Sequence, residues 1–539
     1  MATHEMSRDA TMAPGGHEVV FRSATELVAL IRTGELSAVE VVDAHIRRIE
    51  AIDSDLNAVV IPLFDRARAD AADADEAMKR GEPVGPLHGV PVTIKEQYRV
   101  AGTQTTLGAT KQIGRIDRDE GPLVTALRRA GAIVLGKTNI LQTLAGWESV
   151  NPVYGHTANP WNLDRTPGGS SGGEAAIVAA GGSALGLAGD YGGSIRLPAH
   201  FCGVHGIKPT AGRLTNDDFA PGLLGTGQEA FIPQPGPIAR TVDDLQLAMS
   251  ILAATSMGRT GDLVAPVPWS DPNRIDVAGL RVGMYVDNGY FPVSASVRRA
   301  VEEAAAMLRG LGAEVVETSP PDPWEAVRIF LAAASAGGGR DFFELLGDEK
   351  PVPQVAGLLR GVRIPALMRP LVVAMMERRG QRYLADQIRH LKLASAAEFW
   401  EIVEARNRYR LAYLDLFDAQ GLDVIICPPV ASPAFTHGAS EHLFPAVSYA
   451  YTYNILGAPA GVVSTTRVRA DEEGGRAPGS RDLAHITAAQ VDRGSAGLPL
   501  GVQVVARHWD DAVVLAVMGA LEREARRNPD YPNPAGLAI

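Results

Sequence analysis

The sequence predicts an α/β fold: one large domain with a central mixed, largely parallel, twisted β-sheet covered by helices on both faces. Three observations carry this. Strand-like and helix-like stretches alternate through most of the 539 residues, a pattern that feeds strands through helical crossovers into one sheet. Several strand-like stretches, 132–135 and 422–427 among them, read as buried, as strands covered on both faces are. No internal repeat divides the chain, and at 46% hydrophobic and 21% charged residues its composition is that of a globular protein.

Taken in order, residues 1–20 are polar with Gly and Pro and predict a loose tail, leaving 21–539 for the domain. Ser23-x-x-Glu26 and Ser37-x-x-Glu40 are capping boxes, each opening an amphipathic helix. An Ala/Asp-rich helix covers 64–80. HGVPVTIK, residues 88–95, reads as a buried strand that ends on Lys95. A helix at 123–129 leads to a buried strand at 132–135. Helix 174–180, strand 184–188 and a helix beginning at Ile195 follow. Thr241 starts a helix at 242–253. Strand 281–285, helix 296–311 and strand 314–318 come next. Residues 354–400 differ. Between Val355 and Met376 an apolar series is broken by Pro365 and Pro370 and dotted with Arg360, Arg363 and Arg369. Two prolines rule out one straight helix, so two short helices are expected, forming a lid, a hydrophobic entrance, a homodimer contact or an ordinary packed insertion. Strand 422–427, helix 449–456, strands 461–466 and 500–506 and a closing helix at 510–526 complete the fold. The charged, Gly-rich stretch 470–496 reads as a surface loop.

Several function classes are disfavoured. The net charge is −11 with no stripe of Lys or Arg, which argues against nucleic-acid binding. The two cysteines, Cys202 and Cys427, lie far apart among apolar neighbours and read as buried reduced thiols. The first residues lack the apolar core of a signal peptide, and no run reaches the roughly 18 apolar residues of a membrane span. A cytoplasmic protein is expected. There is no HExxH and no clustered Cys/His set, so neither a metal nor a cofactor is expected.

The chemistry concentrates in residues 167–209, where GGSSGG (168–173) and GGS (192–194) bracket a small-residue segment. Glycines at this density allow close backbone approach, and free N–H groups beside a helix start make oxyanion sites. Two motif matches mislead. GAIVLGKT, 131–138, fits the phosphate-loop pattern, but its middle residues form a strand, whereas that loop must follow one. Gly168-Gly-Ser170-Ser-Gly172 fits the nucleophile-elbow pattern, but NPWNLDRTP before it is loop chemistry rather than a strand. His437, His442, His485 and His508 sit in undistinguished contexts, so the base of a serine hydrolase must be sought elsewhere. A buried lysine held neutral serves, and Lys95 ends an apolar strand as that role demands.

With GVPVTIKE around Lys95, GGSSGG around Ser170 and DYGGSIR around Ser194, the chain resembles the amidase signature family of Ser–cis-Ser–Lys hydrolases. The similarity runs from the first helices to LPLGVQVVA (498–506). Within the family, TTLG (105–108), GGGRDF (337–342) and YTYNILGAPAGVV (451–463) look closest to the fatty acid amide hydrolase branch, with aryl acylamidases and urethane hydrolases among its bacterial relatives. Residues 355–376 fall where that branch carries a membrane-facing cap.

The resemblance implies Ser194 as nucleophile, Ser170 as bridging acid/base and Lys95 as base, with a cis peptide at Gly169–Ser170. Backbone N–H groups of Tyr191, Gly192, Gly193 and Ser194 are expected to form the oxyanion hole. Asp190 and Arg196 are expected to pair and fix that loop. Leu144, Ala145, Gly146 and Trp147, with Tyr191, are expected to line the acyl side of a pocket for a small-molecule amide or carbamate. One position departs from the pattern: many members carry Thr or Ser directly before the aspartate, and this chain has Gly189. Two other readings stand beside amide hydrolysis: a glutamine amidotransferase subunit of tRNA-dependent amidation, and a non-catalytic binding protein on the same fold.

Overall fold

The computed structural model describes residues 19–217, 229–254, 264–476 and 479–537. Most of the expected tail lies outside them. Val20 is buried, and its carbonyl accepts from Arg240 Nη2 at 3.1 Å. The strands are β1 (Val59–Pro62), β2 (Pro91–Lys95), β3 (Ile133–Thr138), β4 (Val150–Asn151), β5 (Gly155–His156), β6 (Leu185–Asp190), β7 (His205–Lys208), β8 (Gln234–Ala239), β9 (Arg281–Met284), β10 (Glu314–Glu317), β11 (Val424–Cys427), β12 (Ala460–Arg467) and β13 (Pro499–Ala506). Eleven of them form one mixed sheet in the order β1-β3-β2-β6-β8-β7-β12-β13-β11-β9-β10, flanked by helices.

The parallel pairings gather in two blocks, β3-β2-β6 and β11-β9-β10. Between and outside these blocks the pairings are antiparallel, six against four parallel. That is a larger antiparallel share than the strand–helix alternation suggests. Part of the reason is β8, whose sequence QPGPIA hides a strand behind two prolines and a glycine, the residues that ordinarily argue against one. Strand β2 is buried at every position and lies between two parallel neighbours, so its last residue, Lys95, emerges inside the protein.

Helices start where the caps demand. Ser23 and Ser37 accept from the N–H of Glu26 and Glu40, and both glutamates reach back. The 354–400 region holds the two expected short helices, Pro353–Val362 and Arg369–Arg378, and then two more, Arg382–His390 and Ala396–Gln420. It leaves Leu367, Leu371 and Trp400 exposed at 97, 69 and 72%. Residues 470–496, expected to be a surface loop, instead contain the helix Leu483–Asp492. Asp482 caps it by accepting from Ala484 N at 3.0 Å, and Ala484, Ala488 and Val491 turn inward. That inward apolar spacing outweighs the charged, Gly-rich flanks. No helix of the described residues is long and apolar enough to cross a membrane.

Candidate active site

Three parallel strands end side by side. The carboxyl ends of β3, β2 and β6 bring Thr138, Lys95 and Asp190 to one rim, the edge where open α/β sheets carry their sites. Lys95 Nζ donates to Ser170 Oγ at 2.9 Å and to the Gly189 carbonyl at 3.2 Å. The lysine is 1% exposed. Burial brings it down from the ordinary lysine range to about 7, against the opposing fields of Asp190, Glu174 and Glu96. A substantial fraction is therefore neutral near pH 7 and able to accept a proton.

Ser170 follows a cis peptide bond from Gly169. Any side chain at 169 would drive its first carbon into the Glu148 backbone, so glycine is required there by space. Ser170 sits just before the helix Gly172–Ala179. Ser194, 5% exposed, lies on the short loop between β6 and the helix Arg196–Cys202. Its Oγ makes no hydrogen bond among the described residues, whereas Ser171 Oγ is held by the Gly189 carbonyl at 3.2 Å. No histidine hydrogen-bonds either Ser170 or Ser194 among the described residues, and GAIVLGKT is the buried strand β3 with its approach, not a phosphate loop.

The loop carrying Ser194 is anchored from below, as expected of Asp190 and Arg196. Arg196 grips Asp190 through Nε–Oδ2 and Nη2–Oδ1, both at 3.0 Å, with both residues fully buried. The remaining guanidinium protons go to the Ala450 carbonyl, Gln503 Oε1 and Asn454 Oδ1 at 2.8, 2.7 and 2.6 Å. Burial would raise Asp190, but the Arg196 guanidinium outweighs it and holds the carboxyl well below its usual range. A buried ion pair is tolerated only when its leftover donors and acceptors are satisfied in this way. Asp190 also accepts from the N–H groups of Gly193 at 2.7 Å and Ile195 at 3.1 Å. Gly193, expected among the oxyanion donors, thus spends its N–H on Asp190. The N–H groups of Gly192 and Ser194 make no hydrogen bond among the described residues.

Leu144, Ala145, Gly146, Trp147 and Tyr191 are each half-buried, in contrast to the buried runs that flank them. Trp147 meets Phe444 edge-on at 5.4 Å. Tyr191 stacks on Phe231 at 4.7 Å, and Phe330 stacks on Tyr451 at 4.5 Å. Leu144 packs into an apolar cluster with Leu345, Val355 and Leu359, so the helical insertion touches this segment directly.

Other residues of the site were not singled out from the sequence. Glu174 is fully buried and accepts from Thr93 Oγ1 at 2.6 Å and Thr138 Oγ1 at 2.8 Å. Burial lifts it to about 8. A lone acid opening an otherwise apolar helix was the available signal. Gln97 and Tyr98 account for Gly189. The first carbon of any side chain at 189 would lie 2.7 Å from Tyr98 Oη and 3.0 Å from Gln97 Nε2. Tyr98 Oη donates to the Ala188 carbonyl at 2.8 Å. A phenol from the β2 side fills the space that a hydroxyl-bearing residue at 189 would take.

The family model described as Amidase matches residues 40–515. The chain belongs to the amidase family. Fatty-acid amide hydrolase 1 of Sus scrofa is 32% identical over 504 residues, covering 92% of this chain and 85% of the relative. A glutamyl-tRNA(Gln) amidotransferase subunit of Synechococcus sp. (strain CC9605) is 31% identical, covering 94% of this chain and 96% of the relative. Among solved structures, a fatty acid amide hydrolase superposes with TM-score 0.82 at 28% identity, over 95% of this chain and 87% of that one. A bacterial aryl acylamidase superposes with TM-score 0.73 at 25% identity, over 97% and 100%. As an amidase-family member this protein is an amide-hydrolysing enzyme.

Proposed function

We propose that this amidase cleaves amides of hydrophobic or aryl acyl groups, and also carbamates and esters, through Ser194, Ser170 and Lys95 and an acyl-enzyme intermediate. The observation that carries the reading is the 2.9 Å contact from Lys95 Nζ to Ser170 Oγ with the lysine held near 7. It supplies the base that a serine hydrolase without a partnering histidine needs.

On seating of the substrate, Ser194 Oγ closes onto Ser170. It attacks the carbonyl carbon as its proton passes to Ser170 Oγ, and Ser170 gives its own to neutral Lys95. The oxyanion forms against backbone N–H groups of the 191–194 loop, with Gly192 and Ser194 as the donors in hand. Losing one such donor typically costs about 2.7–4 kcal/mol of transition-state stabilisation. Collapse breaks the C–N bond, and the leaving nitrogen takes the proton back from Lys95 through Ser170. Water then repeats the sequence on the acyl-enzyme.

The preference for apolar acyl groups rests on the rim of Leu144, Trp147 and Tyr191 with the rings packed behind it and on the likeness to fatty acid amide hydrolase and aryl acylamidase structures. Purified alone, the protein should hydrolyse a p-nitroanilide with a bulky acyl group. Ser194→Ala should abolish both that activity and labelling by a fluorophosphonate. Turnover by Ser194→Ala would sink the reading. Activity only in the presence of partner subunits and glutamine would favour the amidotransferase alternative.

A further inference from the structure

Trp147 stands at the rim where an acyl group would rest, yet its indole nitrogen is turned elsewhere. Nε1–H donates to the Gly192 carbonyl at 2.9 Å. That carbonyl and the Gly193 N–H belong to one peptide unit, and the Gly193 N–H donates to Asp190 Oδ1 at 2.7 Å. The unit is therefore held at both ends, by an indole above and a carboxylate below. Gly193 has φ +110°, a backbone state that L side chains rarely adopt. Phe330 leaves little room beside Gly192, where an added first carbon would meet its ring at 3.0 Å. A flip of this peptide would lose both bonds and turn the Gly192 carbonyl oxygen toward the Asp190 carboxylate.

We infer that Trp147 is a positioning residue of the oxyanion loop. Its N–H fixes the Gly192–Gly193 peptide, and through that peptide the directions of the Gly192 and Ser194 N–H groups on either side. The Asp190 anchor comes from the end of β6, directly before the loop. The Trp147 anchor comes from a segment that follows β3, so it ties the loop to the pocket wall. An acyl group that presses on the indole presses on the oxyanion donors as well, which couples the fit of the substrate to stabilisation of the transition state. Its neighbour Phe444 holds the ring edge-on at 5.4 Å and sets its tilt.

This inference rests on the reading of Ser194 as nucleophile, and the test separates the two. Trp147→Phe keeps an apolar ring and deletes the N–H. Substitution of Trp147 by β-(3-benzothienyl)alanine deletes it with the ring size unchanged. Both should lower kcat by about tenfold, between the worth of a neutral hydrogen bond and the roughly hundredfold loss of an oxyanion donor, with KM changed by less than about threefold. A trifluoromethyl ketone carrying the substrate's acyl chain should lose affinity by the same factor as kcat. The matching secondary alcohol, which forms no oxyanion, should bind as before. Unchanged kcat with altered KM, or equal losses for ketone and alcohol, would make Trp147 a pocket wall only and overturn the inference. Turnover by Ser194→Ala would instead remove the reading beneath it.

Discussion

Lys95 and Lys137 stand on the neighbouring parallel strands β2 and β3. In register Lys95 lies beside Thr138 and Ile94 beside Lys137, so the pleat sends the two lysines to opposite faces of the sheet. Both are buried, and burial lowers both, Lys95 to about 7 and Lys137 to about 8. Their partners differ. Lys137 Nζ donates to the Gln104 carbonyl at 2.7 Å and Thr105 Oγ1 at 2.8 Å, and Thr105 in turn donates to Asp117. It clamps a loop. Lys95 donates to Ser170 Oγ, a group that can return a proton. Desolvation makes a lysine available as a base, but the partner on its face of the sheet decides whether it has anything to act on.

The sharpest break of this comparison is to remove each lysine in turn. Lys95→Met should lower kcat/KM on an anilide by about 10³-fold, in the range for general acid–base groups. Lys137→Met should stay within about tenfold and lose stability by about 1–3 kcal/mol as the loop loses its clamp. Kinetics beside thermal melting reads both. Equal losses of activity would erase the distinction.

The melting data carry a sign test. Lys95 has a depressed pKa in the folded protein, so between about 7 and the ordinary 10.5 the unfolded chain holds a proton that the native one does not. The contribution of this residue to stability therefore rises with pH across that window and is lowest below it. Lys95→Met should melt higher than the parent near neutral pH, and the gap should shrink toward pH 10. A gap independent of pH would mean that Lys95 is not desolvated in solution.

Next in size is the anchor beneath the loop that carries Ser194. Arg196→Met leaves Asp190 buried without its countercharge and should cost about 3–5 kcal/mol, the usual result of breaking a buried pair. Chemical denaturation measures it. A loss below about 1 kcal/mol would place the pair among ordinary surface bridges.

The pH profile is a finer test. Because Lys95 must be neutral to accept a proton, kcat/KM should climb about tenfold per pH unit below about 7 and level off above it. A flat profile from pH 5 to 8 would transfer the base role to another group.

The smallest effect concerns Gly189. Gly189→Ala should destabilise by about 1–3 kcal/mol through overpacking against Tyr98 and Gln97. In a Tyr98→Phe background, where Oη is gone, the penalty should be smaller, a coupling that a double-mutant cycle reports. Additive losses would show that Tyr98 does not occupy the space of a side chain at 189.

Much of this was legible along the chain. GVPVTIKE, GGSSGG and DYGGSIR mark Lys95, Ser170 and Ser194 because each needs a rare local pattern: an apolar strand closing on a charge, and glycines where backbone must approach backbone. The capping boxes at Ser23 and Ser37 fixed two helix starts. The same signal at Ser395-x-x-Glu398 opens the 25-residue helix Ala396–Gln420. Strand β8 was not legible, since its two prolines deny the usual pattern, and neither was the helix Leu483–Asp492 inside a charged stretch.

The sequence by itself determined the α/β class, the family resemblance and the choice of Lys95, Ser170 and Ser194 as the proposed reacting side chains, because these follow from local spacing and composition. Only the tertiary structure decided what surrounds them. That Trp147 holds the Gly192 carbonyl and that Tyr98 fills the room left by Gly189 depend on segments tens of residues apart, and that Gly193 gives its N–H to Asp190 depends on how the loop between them turns. Such contacts leave no periodicity in either segment. They arise from the sheet, which sets the carboxyl ends of β2, β3 and β6 side by side and brings the loops that follow those strands together over a single rim.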